Sequence, residues 1–80
     1  MRTEDRLQRF LRDELHIEMA GVGDDYPLIE NGLIDSLAIF ELVRFIEDDF
    51  GVVVEDEDLV VDNFGTIADM ARLIGARQGA

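Results

Sequence analysis

The chain contains no cysteine, which excludes a disulfide framework, a thiolate nucleophile and a metal site built on thiolates. Basic residues are also scarce, since seven stand against nineteen acidic ones and the net charge is −12. Such a surface repels nucleic acid and anionic lipid, and it favours basic protein partners bound in a salt-dependent way. No apolar run approaches the roughly 18 residues of a membrane span, and the N-terminus has no signal-peptide core. We therefore expect a cytoplasmic protein that binds neither nucleic acid nor membrane.

Length and composition point to a single small domain spanning residues 1–80. Eighty residues lie near the lower limit for one hydrophobic core, and a hydrophobic content of 48% is enough to build it. Apolar residues recur at intervals of three and four in three segments, which is typical of helices that bury one face. The pattern predicts an all-α fold, a four-helix bundle of three main helices, one short helix and a long first loop.

The first helix is predicted over residues 3–16, with Thr3 as its N-cap. Its apolar stripe consists of Leu7, Phe10, Leu11 and Leu15. The periodicity then stops, and residues 18–35 contain three glycines and the only proline. A loop of that length in a small domain is usually functional or disordered. Four apolar residues argue against disorder because they can pin the loop to the core: Leu28, Ile29, Leu33 and Ile34.

The second helix, predicted to open at Asp35-Ser36-Leu37 and to run to about Phe50, is the most strongly patterned segment. Its apolar face is formed by Ile39, Leu42, Val43, Ile46 and Phe50, and its opposite face carries Glu41, Arg44, Glu47 and Asp48. Gly51 follows as a left-handed terminator. Ser36 is therefore expected at the helix N-terminus, off the buried stripe and directly after the long loop.

The connection after the second helix is predicted to be extended, followed by a short helical turn. The triplet Val52-Val53-Val54 has the β-branched character of a strand, but no other segment could pair with it. Asp56 is predicted to cap a turn through Val60 that ends before Asp62.

The last helix is predicted to begin after Thr66, which acts as its N-cap with Asp69 as a capping-box partner. Gly75 and Gly79 are expected to mark a fraying tail. The apolar face of this helix consists of Ile67, Met70, Ala71 and Ile74.

Ser36 has three possible roles when it is considered on its own. It can simply cap the helix, because both Asp and Ser are favoured there. As a catalytic nucleophile it would need a base, yet the only histidine is His16 and there is no G-x-S-x-G elbow. As an attachment point for a phosphate-linked group it is well placed, because helix N-terminal N–H groups stabilise a phosphodiester.

Two stretches bear on this choice: NGLIDSLAIFELVRFIEDDFGV (31–52) and DNFGTIADM (62–70). They resemble the acyl carrier protein family, and the resemblance covers about residues 3–75. It implies a four-helix carrier fold in which Ser36 of the D-S-L motif bears 4′-phosphopantetheine, derived from coenzyme A. The thiol of that arm would hold an acyl or aminoacyl group as a thioester. The protein would then be a shuttle and not an enzyme.

The resemblance also implies where partners bind. Asp35 and Leu37 flank the modified serine, and in the family the outward face of this helix docks on basic patches. The residues nominated for partner binding are Glu41, Arg44, Glu47, Asp48 and Val54. The implied partners are a phosphopantetheinyl transferase, an acyl- or aminoacyl-loading enzyme and a downstream synthase or transferase, each meeting a monomeric carrier. The alternative for the carboxylates is a merely solvated helix face.

Three positions depart from the family pattern. Ala38 stands where fatty-acid carriers commonly have an acidic residue, Arg44 where a neutral residue is usual, and Glu55 where proline is frequent. These departures favour a dedicated pathway, such as a polyketide, nonribosomal-peptide, D-alanyl or other aminoacyl route, over ordinary fatty acid biosynthesis. The alternative function is an acidic helical adaptor that binds a basic protein without any prosthetic group.

The remaining features have structural interpretations. His16 is expected at the end of the first helix, where a cation suits the dipole, and it lacks the companion ligands of a metal site. No segment fits the calcium-loop pattern. The five phenylalanines are expected in the core, and Phe40 and Phe45 are candidates to line a cargo channel.

Overall fold

In the computed structural model, which describes residues 1–79, the chain forms four α-helices and one 3₁₀ turn and no strand. The helices are α1 (Thr3–Asp13), α2 (Ser36–Phe50), α3 (Val61–Phe64) and α4 (Ile67–Gln78), and the 3₁₀ turn (Asp56–Asp58) precedes α3. The fold therefore has three longer helices and one short helix, and a long loop connects α1 to α2. The all-α prediction is confirmed.

Helix α1 starts at residue 3, the predicted bound, but its N-cap is Arg2 and not Thr3 as predicted. The Arg2 carbonyl accepts the Arg6 N–H at 3.1 Å, which makes Thr3 the first helical residue. The Arg2 guanidinium bonds the carboxylates of Asp5 and Asp24 and so ties the helix start to the loop.

Helix α1 also ends at Asp13, three residues before the predicted end at residue 16. Beyond Asp13 the backbone hydrogen bonds span more residues than in an α-helix, since Leu15 N donates to the Phe10 carbonyl and Ile17 N donates to the Leu11 carbonyl. The backbone of His16 is left-handed, with a φ of 57°, which is incompatible with a continuing α-helix. His16 therefore lies beyond the end of α1 and not in its last turn.

The long loop is held to the body of the protein by its apolar side chains and by its backbone. Leu28 and Ile34 are buried, and Leu28 N donates to the Gly65 carbonyl at 2.8 Å. The Asp24 carbonyl accepts the Ala68 N–H at 2.9 Å. These contacts order the loop, which agrees with the expectation from its apolar residues.

The short helix lies later in the chain than predicted. The turn at Asp56–Asp58 is 3₁₀, Glu55 rather than Asp56 is its N-cap, and Leu59 interrupts it with a ψ of 66°. The Asp58 carbonyl accepts both the Val60 N–H and the side-chain amide of Asn63, which separates the turn from α3. Residues 61–64 are then helical, where a non-helical stretch was expected.

Helix α4 begins as predicted, because Thr66 Oγ1 accepts the Asp69 N–H at 3.0 Å. It continues through Gly75 to Gln78, so the expected fraying at Gly75 is wrong. The core draws on every helix and on the loop. Its fully buried side chains are Leu7, Leu11, Leu28, Leu42, Ile46, Phe64, Ile67, Met70 and Ile74.

Asp58 links the segment before α3 to α4. It is only 7% exposed, its Oδ1 accepts a hydrogen bond from Arg77, and its Oδ2 accepts the Glu55 N–H at 2.9 Å. The Arg77 guanidinium and the Glu55 amide hold the pKa of the Asp58 carboxyl below its usual value. The charged carboxylate therefore stabilises the fold, at pH values above the unfolded-state pKa of about 3.9.

We expect Asp58→Asn to lower the urea midpoint at pH 7 relative to the wild type. The gap between the two proteins should close as the pH falls through the folded-state pKa of Asp58, because both then have a neutral side chain. Urea unfolding at stepwise pH values measures this, and Asp62→Asn on the exposed first turn of α3 serves as the control. A gap that stays constant down to low pH would contradict the assignment.

Candidate functional site

Ser36 lies at the first position of α2, exposed to solvent. Asp35 precedes it as the N-cap and its Oδ1 accepts the Ala38 N–H at 3.0 Å. Capping is therefore done by Asp35, and within residues 1–79 nothing is hydrogen-bonded to the Ser36 hydroxyl. The interpretation of Ser36 as a mere capping residue is thereby removed.

The backbone around Ser36 suits a phosphate. The N–H groups of Ser36 and Leu37 have no acceptor within the described part of the chain, and both belong to the first turn of a 15-residue helix. Such amides and the positive end of the helix dipole favour an anion at this place. A phosphodiester on the Ser36 oxygen would fit here, because the oxygen is exposed and two donors lie beside it.

The outward face of α2 begins immediately after Ser36. Leu37 is 69% exposed, and Glu41, Arg44 and Asp48 are exposed at the helical spacing that places them on one side. This acidic and apolar strip is the surface that the sequence nominates for partners.

Glu47 and Val54, both nominated for partner binding, are hydrogen-bonded to each other and only partly exposed to solvent. The carboxylate of Glu47 accepts the Val54 N–H at 2.9 Å, and both side chains are half-buried. This bond fixes the extended connection after Gly51, whose backbone is left-handed as predicted, with a φ of 67°. Glu47 therefore has a structural role in addition to any contact with a partner.

Phe40 corrects the prediction that all five phenylalanines are in the core, because it is 66% exposed. Phe45 instead stacks on Phe10, with ring centroids 4.3 Å apart, between α1 and α2. Because Phe40 faces solvent and Phe45 packs between the two helices, they do not line one channel. Phe40 lies one turn after Ser36 and adds a large apolar side chain to the outward face of α2.

An exposed apolar run, not predicted from the sequence, extends from the end of the 3₁₀ turn into the first residue of α3. Leu59, Val60 and Val61 are 37%, 48% and 60% exposed. The signal was present, since these residues interrupt an otherwise acidic stretch. The predicted helical turn covered Leu59 and Val60, and it gave no indication of their exposure.

The described residues contain neither a metal-binding cluster nor a membrane-spanning helix. Within residues 1–79, no group of three or more histidine, aspartate or glutamate side chains is arranged to hold a metal ion. Among the helices of that range, none combines the length and apolar character needed to cross a bilayer.

Comparisons with known proteins show the family to which the chain belongs. The family model described as "Phosphopantetheine attachment site" matches residues 5–74. An acyl carrier protein of Solidesulfovibrio magneticus is 31% identical over 58 residues, 72% of this chain and 74% of that protein. An acyl carrier protein of Chlamydia felis is 28% identical over 79 residues, 99% of both chains.

A solved structure supports the same fold. A chain from a structure entitled "Crystal structure of FAD-dependent dehydrogenase" superposes with a TM-score of 0.74 and 28% identity. The alignment covers 84% of this chain and 96% of that one.

The fold, the exposed serine at a helix N-terminus and the family match define a phosphopantetheine-bearing carrier, which holds cargo and does not catalyse its conversion. Within that class, the chain belongs to the acyl carrier protein family. Its prosthetic group is 4′-phosphopantetheine.

Proposed function

We propose that Ser36 is the attachment site of the phosphopantetheine arm. The observation that carries the proposal is the division of roles at the start of α2. Asp35 caps the helix, which leaves the Ser36 hydroxyl exposed and without a protein partner in residues 1–79. Ser36 is moreover the only serine in the chain. When bound, the arm supplies a thiol that holds an acyl or aminoacyl group as a thioester.

The attachment step is a phosphoryl-group transfer from coenzyme A. The Ser36 Oγ forms a bond to the phosphorus that bears the pantetheine. The bond between that phosphorus and the bridging oxygen of the pyrophosphate breaks. 3′,5′-Adenosine bisphosphate leaves, and a base of the transferase takes the serine proton. The free N–H groups of Ser36 and Leu37 are placed to donate to the phosphodiester oxygens.

The outward face of α2 is the proposed docking surface. It consists of Asp35, Leu37, Glu41, Arg44 and Asp48, with Glu47 and Val54 at its edge and Phe40 as an addition from the structure. Exposed ion pairs on such a surface contribute about 0–1 kcal/mol each. Contact with the transferase, the loading enzyme and the downstream synthase or transferase is therefore transient and weakens with salt.

The pathway is proposed to be a dedicated one, such as a polyketide, nonribosomal-peptide, D-alanyl or other aminoacyl route. The reason is that Ala38, Arg44 and Glu55 depart from the usual pattern of fatty-acid carriers.

The superposed chain comes from a structure entitled as that of an FAD-dependent dehydrogenase. A flavoenzyme that acts on the carrier-bound thioester is accordingly a candidate partner, and measuring its rate on the loaded carrier against a free pantetheine thioester tests this. We further propose that the carrier works as a monomer in the cytoplasm, where coenzyme A is used.

The carrier role is tested by incubating the chain with coenzyme A and a broad-specificity phosphopantetheinyl transferase. Intact mass spectrometry should show the gain of one phosphopantetheinyl group, because the reactive hydroxyl is exposed in the folded protein. A folded chain that gains no mass would favour the alternative, an acidic helical adaptor that binds a basic protein without a prosthetic group.

A further inference from the structure

Arg44 stands alone in the charge pattern of the chain. All seven basic residues are arginines, and Arg44 is the only one between Arg12 and Arg72. The stretch from Asp35 to Asp62 contains ten carboxylates besides this single guanidinium. A positive charge is therefore placed in the middle of the most acidic part of the protein.

The guanidinium of Arg44 is also free of strong ion pairs. Five of the seven arginines lie within ion-pair distance of a carboxylate: Arg2, Arg6, Arg12, Arg72 and Arg77. Within residues 1–79 neither Arg44 nor Arg9 has such a partner, and both are exposed. Glu41 and Asp48 are close along the helix, but neither lies within ion-pair distance of Arg44 in the described residues, and exposed pairs of this kind are weak. A group on another protein can therefore take over the guanidinium at little cost.

Arg44 shares a helix face with the two large exposed apolar residues of α2. Leu37 is 69% exposed and Phe40 is 66% exposed, and Arg44 follows them at seven and four positions, which places all three on one side of the helix. The face begins next to Ser36, so an enzyme that acts at Ser36 or on its arm meets it. Apolar side chains beside a solvated arginine form a surface that a partner can cover only by also accommodating the positive charge.

We propose that Arg44 is a specificity-determining residue, which selects enzymes whose docking patch places a carboxylate opposite it, next to an apolar socket for Leu37 and Phe40. The inference rests on the proposed carrier function. A carboxylate can accept two parallel hydrogen bonds from the guanidinium, which gives direction as well as attraction. A uniformly basic patch, although attracted by the surrounding carboxylates, is repelled at this one point.

The test uses a phosphopantetheinyl transferase with a uniformly basic docking patch as the probe and follows mass gain over time at low salt. Arg44→Glu should raise the apparent kcat/KM of modification about tenfold, since it converts a repulsion into an attraction. Arg9→Glu is the matched control, because it makes the same change in net charge at an exposed, unpaired arginine on α1. Its effect should stay within about twofold, and both effects should shrink at high salt.

A charge swap in the transferase completes the design. Each lysine or arginine of its docking patch is replaced by glutamate in turn, and every variant is tested against the wild-type carrier and Arg44→Glu. At one position the preference should reverse, so that the wild-type carrier becomes the faster substrate. Equal rates for Arg44→Glu and Arg9→Glu, or no reversal at any position, would overturn the role of Arg44. A wild-type carrier that gains no mass at all would instead overturn the proposed attachment and this inference with it.

Discussion

Replacing Ser36 with alanine should abolish phosphopantetheine loading completely while leaving the fold intact. The hydroxyl is the proposed nucleophile, and it is exposed and makes no hydrogen bond within residues 1–79. Its removal should therefore change the free energy of unfolding by less than about 0.5 kcal/mol. Intact mass after incubation with coenzyme A and the transferase measures the loading, and urea unfolding measures the stability.

Thr66→Ala provides the control with the opposite outcome. Thr66 also stands at a helix start, but its Oγ1 caps α4 by accepting the Asp69 N–H at 3.0 Å. Its loss should cost about 1 kcal/mol of stability and leave loading unchanged. Two results would show that the attachment site has been misplaced. One is a mass gain by the Ser36→Ala variant, and the other is a loss of loading by a Thr66→Ala variant that remains folded.

Replacing Phe64 with alanine should have the largest effect on stability. Phe64 is 1% exposed, lies in α3 and is among the largest fully buried side chains. Truncating a buried phenylalanine removes apolar contact and leaves a cavity, which costs about 3–5 kcal/mol. For a domain of this size that is a large share of the whole free energy of unfolding. Thermal and urea unfolding should show a strongly lowered midpoint.

The same substitution at Phe40 separates folding from docking. Phe40 is 66% exposed, so Phe40→Ala should change stability by less than about 0.5 kcal/mol. It should nevertheless slow modification by the transferase about tenfold if Phe40 is an apolar anchor of the docking surface. Equal losses of stability in the two variants would contradict the burial pattern. Unchanged modification of Phe40→Ala would remove Phe40 from the proposed docking surface.

The main helices and the position of Ser36 could be read from the sequence because local signals agree there. In α2, the D-S-L start, the apolar spacing and the terminator Gly51 all specify about the same boundaries, and the structure confirms them, with Asp35 as the cap. Thr66 likewise marks the start of α4. These signals depend on residues close together in the chain, so they do not require knowledge of the packing.

The parts that could not be predicted depend on distant contacts. The short helix is displaced because Asp58 is held by Arg77, nineteen positions away, and because Phe64 is buried. Arg2 replaces Thr3 as the cap of α1, and its side chain also contacts Asp24 in the loop. Phe40 lies beside the apolar stripe of α2 and not in it, so only its aromatic character suggested a core position, and the structure shows that it faces solvent.

The most direct measurement is the location of the added group after reaction with coenzyme A and the transferase. Fragmentation of the modified chain by tandem mass spectrometry should place one phosphopantetheinyl group on Ser36 and none on Thr3, Tyr26 or Thr66, the other hydroxyl-bearing residues. A group found on one of those residues, or a folded chain that remains unmodified, would contradict the proposed role of Ser36.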